Sequence, residues 1–192
     1  MARTPSTMLE LGTKAPDFAL IEPATQKVVK LSDFEGRPVL VAFICNHCPY
    51  VILIKNVFSK FARQYQAKGL QVIAINANDV DNYPEDSPLN MISDVKDFEY
   101  SFPYLYDETQ EIAKQYHAAC TPDLFMFDAE HKLFYHGQFD SARPNSGIPV
   151  TGEDMIKAAE QLLSGNAAPD IQIASLGCGI KCKAGNEPDY AM

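Results

Sequence analysis

The sequence predicts an α/β sandwich built around a mixed sheet, and three observations carry that expectation. The runs "VLVAFI" (39–44) and "LQVIAINAND" (70–79) are almost continuously apolar, as strands buried on both faces of a sheet must be. Between them, Ile54, Val57, Phe58, Phe61, Ala62 and Tyr65 recur at three- and four-residue steps before Gly69. That spacing is an amphipathic helix with a glycine stop. Further on, "PDLFMFDAEHKLFYHGQFD" alternates on both sides of Asp128-Ala129-Glu130-His131, the pattern of a β-hairpin.

The remaining elements follow in order. A turn at Glu35-Gly36-Arg37-Pro38 precedes the first buried strand. Ser87-Pro88 reads as a helix N-cap and first-turn proline, with Met91, Val95 and Phe98 along one face. "FPYLYD" is a short strand and "ETQEIAKQYHAA" a helix. Thr151, with Asp154 three residues on, opens a last helix through Leu163, capped by Gly165. Residues 166–192 show little periodicity and read as a tail, leaving one domain over residues 8–165. Strands separated by helices imply parallel pairing with right-handed crossovers, to which the hairpin adds antiparallel strands.

A chain of 192 residues, 46% hydrophobic, can bury one sizeable core without disulfide support. Sixteen basic against 25 acidic residues, a formal charge of −9, argue against nucleic acid or an anionic membrane as partner, because both select for basic surface. The N-terminus has no apolar stretch of signal-peptide length, and no segment approaches the ~20 apolar residues of a membrane span. The expected location is therefore the cytoplasm. In a reducing compartment five cysteines are not static staples, so clustered ones point to redox or metal chemistry.

The cluster is "ICNHCPY": Cys45 and Cys48 with His47 between them and Pro49 after. Thiol–disulfide exchange needs a thiolate, and a helix N-terminus lowers a cysteine pKa through unsatisfied amides and the positive end of its dipole. Pro49 suits the first helical position, which puts Cys48 at the N-cap and makes it the expected nucleophile. Cys45, one tight turn upstream, is then the resolving partner, since a disulfide wants α-carbons roughly 4.4–6.8 Å apart. A buried pair of inert core thiols is the competing reading. For His47 the alternatives are an imidazolium between the sulfurs, lowering both thiol pKa values, or a solvated turn residue.

These residues resemble the thioredoxin-like superfamily, in its AhpC/TSA (redoxin) branch and among its peroxiredoxin-like proteins. The resemblance runs from "LGTKAPDFAL" through "LSDFEGRPVLVAFICNHCPY" and "FPYLYDETQEIAKQYHAACTPDLFMFD" to the final helix, and "SLGCGIKCKAGNEPDY" is similar to that group's C-terminus. It implies a thioredoxin fold, a three-layer α/β/α sandwich with a redoxin N-terminal extension and a C-terminal tail. It also implies a cis bond before Pro122 and a Thr121 backbone presented to substrate. The thioredoxin nucleophile, five residues after the strand phenylalanine Phe43, falls on Cys48. Where peroxiredoxins have a threonine three residues before their reactive cysteine, this chain has Cys45. Where their peroxide-activating arginine is expected, it has Thr121 and Pro122. The chain has no tryptophan, unlike thioredoxins.

Other residues carry weaker signals. Cys120, beside Thr121, is expected to be a buried bystander by strand alternation. Cys178 and Cys182 are either a second dithiol reaching the active site or unrelated tail thiols. Arg143 either steadies an anion or pairs with Asp140 in a solvated loop. The acidic stretch "NDVDNYPEDSP" lacks the spacing of a calcium loop and reads as a solvated connection.

The function these signals imply is a cytosolic thiol–disulfide oxidoreductase with peroxiredoxin-like character, cycling through a Cys45–Cys48 disulfide. Its partners are a disulfide- or peroxide-bearing substrate and an external thiol reductant of thioredoxin or glutathione type. No cofactor and no resident metal are expected. The alternatives are a Cu(I)- or Zn²⁺-binding protein on the same fold, in the manner of the Sco proteins, or a redox switch that turns nothing over.

Overall fold

A computed structural model describes residues 3–191. Its strands are β1 (Arg3–Pro5), β2 (Ala19–Glu22), β3 (Lys27–Lys30), β4 (Val39–Phe43), β5 (Gln71–Asn76), β6 (Tyr104–Tyr106), β7 (Cys120–Thr121), β8 (Asp123–Phe127), β9 (Leu133–His136) and β10 (Leu176–Gly179). Its α-helices are α1 (Pro49–Gln66), α2 (Pro88–Asp97), α3 (Glu111–Gln115) and α4 (Glu153–Leu163). Seven strands form the main sheet in the order β3-β2-β6-β5-β4-β8-β9, and a small second sheet has the order β1-β10-β7.

The apolar runs become the centre of the main sheet. β4 pairs parallel with β5 and antiparallel with β8, and β5 pairs parallel with β6. All five residues of β4 are buried because both faces are covered. Leu40 and Ala42 face the side packed by α1, Met91 of α2 and α4, while Val39, Val41 and Phe43 face the side packed by Leu31, Ala113 and Tyr116. The α/β sandwich with a mixed sheet is therefore the architecture observed. Phe58 of α1 meets Phe61, Phe102 and Phe139 at centroid distances of 5.6–6.3 Å. Burying each such ring contributes roughly 1.5–3 kcal/mol, which is what holds α1 against the sheet.

Several elements differ from expectation. The redoxin extension contains the β2–β3 hairpin, whose register Ala19↔Lys30 to Glu22↔Lys27 leaves Ile21 and Val28 half-exposed. Its two strands of four residues are too short to show a clear period. Helix α3 is shorter than "ETQEIAKQYHAA", bounded by Gln110 and His117 with φ of 65° and 52°. The Thr151/Asp154 capping box does not form. Gly152 is the N-cap, Asp140 Oδ2 accepts the Thr151 and Gly152 amides at 2.7 and 2.6 Å, and Asp154 instead accepts from Gln138 Nε2.

The largest departure concerns residues 166–192, expected as a tail without regular elements. They contain β10, which runs antiparallel between β1 and β7 with Cys178 opposite both Arg3 and Thr121. Backbone bonds hold it at both ends, Ser6 N to Ser175 O at 3.0 Å and Ile180 N to Ala119 O at 3.2 Å. "LGCG" carries two glycines and one large apolar residue, so no periodicity could mark it as a strand.

Candidate active site

The cysteine loop bridges β4 and α1. Ile44 still bonds to the sheet, its N–H donating to Ile75 O, and the chain turns through Cys45, Asn46 and His47 before Pro49 opens α1. Cys48 is the N-cap, with φ −65° and ψ 123°, as Pro49 predicts. A fully buried carboxylate, Asp86, fixes the loop. Its Oδ1 accepts the Asn46 and His47 amides at 2.7 and 3.2 Å, and its Oδ2 accepts Asn78 Nδ2 at 2.7 Å. Lys55, buried on α1, donates to Asn46 O at 3.0 Å and pairs with Asp94.

Asp86 belongs to the stretch expected to be a solvated connection. In fact Asp79 and Asp86 are buried. Charge density alone suggested solvent, because a carboxylate that receives backbone amides from a distant loop looks like any other acid in the sequence.

His47 does not stand between the sulfurs. Its Nδ1 is 2.6 Å from Asp86 Oδ2, and its ring stacks on Tyr83 at 5.5 Å. Ligand atoms of Cys45, His47 and Asp86 lie within 4.8 Å of one another. That set lacks Cys48, so the two thiols and histidine suited to Cu(I) are not the group that converges. Asp86 already accepts three hydrogen bonds, and the cluster reads as a support for the loop.

The opposite wall is the Thr121–Pro122 segment, whose peptide bond is cis as the resemblance implies. The Pro122 neighbour Asp123 is fully buried and accepts from Ser6 Oγ at 2.8 Å and Ala119 N at 3.1 Å. His136 Nδ1 accepts the Leu9 amide at 3.0 Å, so the proton sits on Nε2, which donates to Asp123 Oδ1 at 2.9 Å. This network anchors the N-terminal segment beneath the wall. Cys120 is buried beside it, its thiol donating to Pro122 O, with burial pushing its pKa up.

Three cysteine side chains meet at Thr121. Cys45 Sγ is 3.4 Å from Thr121 Oγ1, and Cys48 Sγ is 3.1 Å from Thr121 O, a bond that only the protonated Cys48 thiol donates and that ionisation gives up. Cys178 lies opposite Thr121 on β10, in the same buried cluster as Cys45 and Cys48. The Cys48 pKa is lowered to about 4, above all by the Cys45 thiol, against the opposing effect of burial. The Thr121 and Cys178 side chains help, and the Val51 amide adds least. The Val51 amide is the contribution of the helix N-terminus, and the neighbouring Cys45 thiol is the larger one. The partner Cys45 is raised by donating to Cys48, by burial and by the Asp86 charge. Cys178 is pushed up to about 12 by burial and by donating to Cys48.

Of the other candidates, Cys182 lies apart and Arg143 borders the Pro122 wall. Cys182 is half-buried, its Sγ near Ile180 O, in a pocket lined by Ala113, Lys114 and Tyr190. Arg143 lines a small cleft with Tyr50, Pro122 and Leu176. Its guanidinium donates to the backbone carbonyls of Asp140 and Ala142 and to Gln138 Oε1, not to the Asp140 carboxylate.

Residues 11–136 match the profile of the AhpC/TSA family. The chain belongs to that family. It is 26% identical over 130 residues to a thiol-disulfide oxidoreductase ResA from Bacillus thuringiensis subsp. konkukian, an alignment covering 68% of this chain and 70% of that protein. A crystal structure of an uncharacterized conserved protein from Geobacillus kaustophilus superposes with a TM-score of 0.93 at 48% identity, covering 95% of this chain and 97% of the other. A thiol:disulfide interchange protein of the DsbE type from Chlorobium tepidum aligns with a TM-score of 0.55 at 27% identity, covering 67% and 85%. The fold of this AhpC/TSA chain is accordingly a thioredoxin fold.

Proposed function

We propose that this protein is a thiol–disulfide oxidoreductase that works in the cytoplasm, with Cys48 as nucleophile and Cys45 as resolving thiol. The observation that carries the reading is the buried Cys45–Cys48 pair, whose sulfurs both contact Thr121, at 3.4 and 3.1 Å, beside Pro122. Membership of the AhpC/TSA family and similarity to ResA and DsbE proteins support it.

The reaction runs in two exchanges. The Cys48 thiolate attacks one sulfur of a substrate disulfide, forming a mixed disulfide and expelling a thiolate. Cys45 then gives up its proton and attacks the Cys48 sulfur, releasing the second substrate thiol and closing the Cys45–Cys48 disulfide. An external thiol reductant restores the dithiol. Hydroperoxide reduction through a Cys48 sulfenic acid uses the same residues. It is the slower reaction, because the groups that stabilise Cys48 are thiols, a hydroxyl and an amide rather than a cation.

Insulin-type disulfide reduction and hydrogen peroxide consumption, assayed separately, test the assignment. Cys48→Ser is expected to abolish both, and Cys45→Ser to abolish the Cys45–Cys48 disulfide while leaving attack by Cys48 intact. Full turnover by Cys48→Ser would overturn the proposal.

A further inference from the structure

β10 occupies the place the resemblance reserved for substrate. The backbone of Thr121, expected to face a bound partner, is already paired with the chain's own Cys178. The approach is close enough to require a glycine. A Cβ on Gly177 would stand 2.1 Å from Thr121 O and 2.6 Å from its carbonyl carbon, distances no side chain tolerates. Gly177 lets the strand lie flat against the Thr121–Pro122 wall, and the next residue, Cys178, pairs with Thr121, whose carbonyl oxygen the Cys48 sulfur contacts at 3.1 Å. Cys178 is almost completely buried, like Cys45 and Cys48.

From this placement we infer that Cys178 is a second resolving thiol, carried by β10 as a tethered substrate strand and able to form a Cys48–Cys178 disulfide. The inference rests on Cys48 being the nucleophile. Cys48 sits between two thiols, with Cys45 at its own loop and Cys178 on the opposing strand. A strand bonded on both edges keeps its sulfur at the reacting position, an effective concentration that a loose tail would not provide.

The step balances without a further reagent. Attack of Cys48 on a low-molecular disulfide RSSR forms the mixed disulfide Cys48–S–SR and releases RS⁻. Cys178 loses its proton to that RS⁻ and attacks the Cys48 sulfur. The Cys48–Cys178 bond forms, the bond to SR breaks, and a second RS⁻ leaves. Two cysteine thiols have lost two electrons and RSSR has gained them. Cys45 can then attack Cys48 as its proton passes to the departing Cys178 sulfur, which leaves as a thiol, and the protein reaches the Cys45–Cys48 disulfide. Cys178 thus captures the mixed disulfide first, and Cys45 completes the cycle.

The test uses oxidised glutathione, acid quenching and non-reducing peptide mass mapping of the full chain. Cys45→Ser is expected to pass through a glutathione adduct on Cys48 that disappears into a Cys48–Cys178 disulfide. The double variant Cys45→Ser/Cys178→Ser should retain the adduct. An adduct that persists equally in both variants overturns the role of Cys178. A double variant that forms no adduct on Cys48 overturns instead the assignment of the nucleophile. The wild-type protein supplies a readout that does not depend on how a variant folds. A Cys48–Cys178 disulfide should precede the Cys45–Cys48 disulfide in its time course, and its absence at every time point counts against the inference.

Discussion

The ionisation of Cys48 is the property on which the proposed chemistry turns, and Cys45→Ala perturbs it directly. In the reduced wild-type protein the first proton lost from the Cys45–Cys48 pair comes off Cys48, at about 4. At pH 7 that corresponds to about a thousand thiolates per thiol, whereas a cysteine at the ordinary value of 9.0 is only about 1% ionised. The Cys45 thiol is the largest cause of the shift. A hydrogen bond to a charged group is worth about 1.5–3 kcal/mol, so alanine at Cys45 should move the midpoint up by about one to two pH units. The assay is the ultraviolet absorbance of the thiolate across an acid-to-neutral titration, with Cys48→Ser as the blank. The same shift has a stability consequence. A group whose folded pKa is depressed stabilises the protein fully above its unfolded value, here 9.0, and that contribution fades as pH falls toward about 4. Across that window the reduced protein should lose up to about 1.4 kcal/mol per pH unit on acidification from this group. A wild-type titration confined to the ordinary thiol range, or a midpoint unmoved by Cys45→Ala, would refute the reasoning.

Two further predictions rest on packing and charge. Gly177→Ala places a methyl against backbone atoms that cannot swing away. It should cost about 1–3 kcal/mol, read by chemical denaturation, and should slow Cys178 capture; an unchanged midpoint would contradict the close approach. Lys55→Met leaves the Asp94 carboxylate without its buried cation and frees Asn46 O. The expected loss is about 3 kcal/mol at neutral pH. It should shrink in acid because burial already raises the Asp94 pKa and protonation removes the stranded charge. A loss independent of pH would mean that the pair contributes through packing alone.

The legible part of the site was local. Cys48 at the N-cap followed from Pro49, and the strand–loop–helix order followed from continuous apolar runs that only a doubly covered strand can carry. What the sequence could not disclose was long-range. His47 turns toward Asp86, thirty-nine residues away, because a buried carboxylate with two amide donors offers it a better partner than solvent. Arg143 and Cys182 were singled out for their chemistry, yet one is tied to neutral oxygens and the other sits in a separate pocket.

By itself the amino-acid order determined the α/β architecture and the C-x-x-C turn at the start of α1, since each is written in hydrophobic period or in the neighbouring Pro49, while the wall at Pro122 came from the resemblance to a known family. Only the tertiary structure decided the third thiol. Cys178 reaches Cys48 through backbone pairing of β10 with β1 and β7 and through the missing side chain of Gly177. Backbone hydrogen bonds and an absent Cβ leave almost no imprint on residue pattern, so the segment that completes the site was the one that looked least structured.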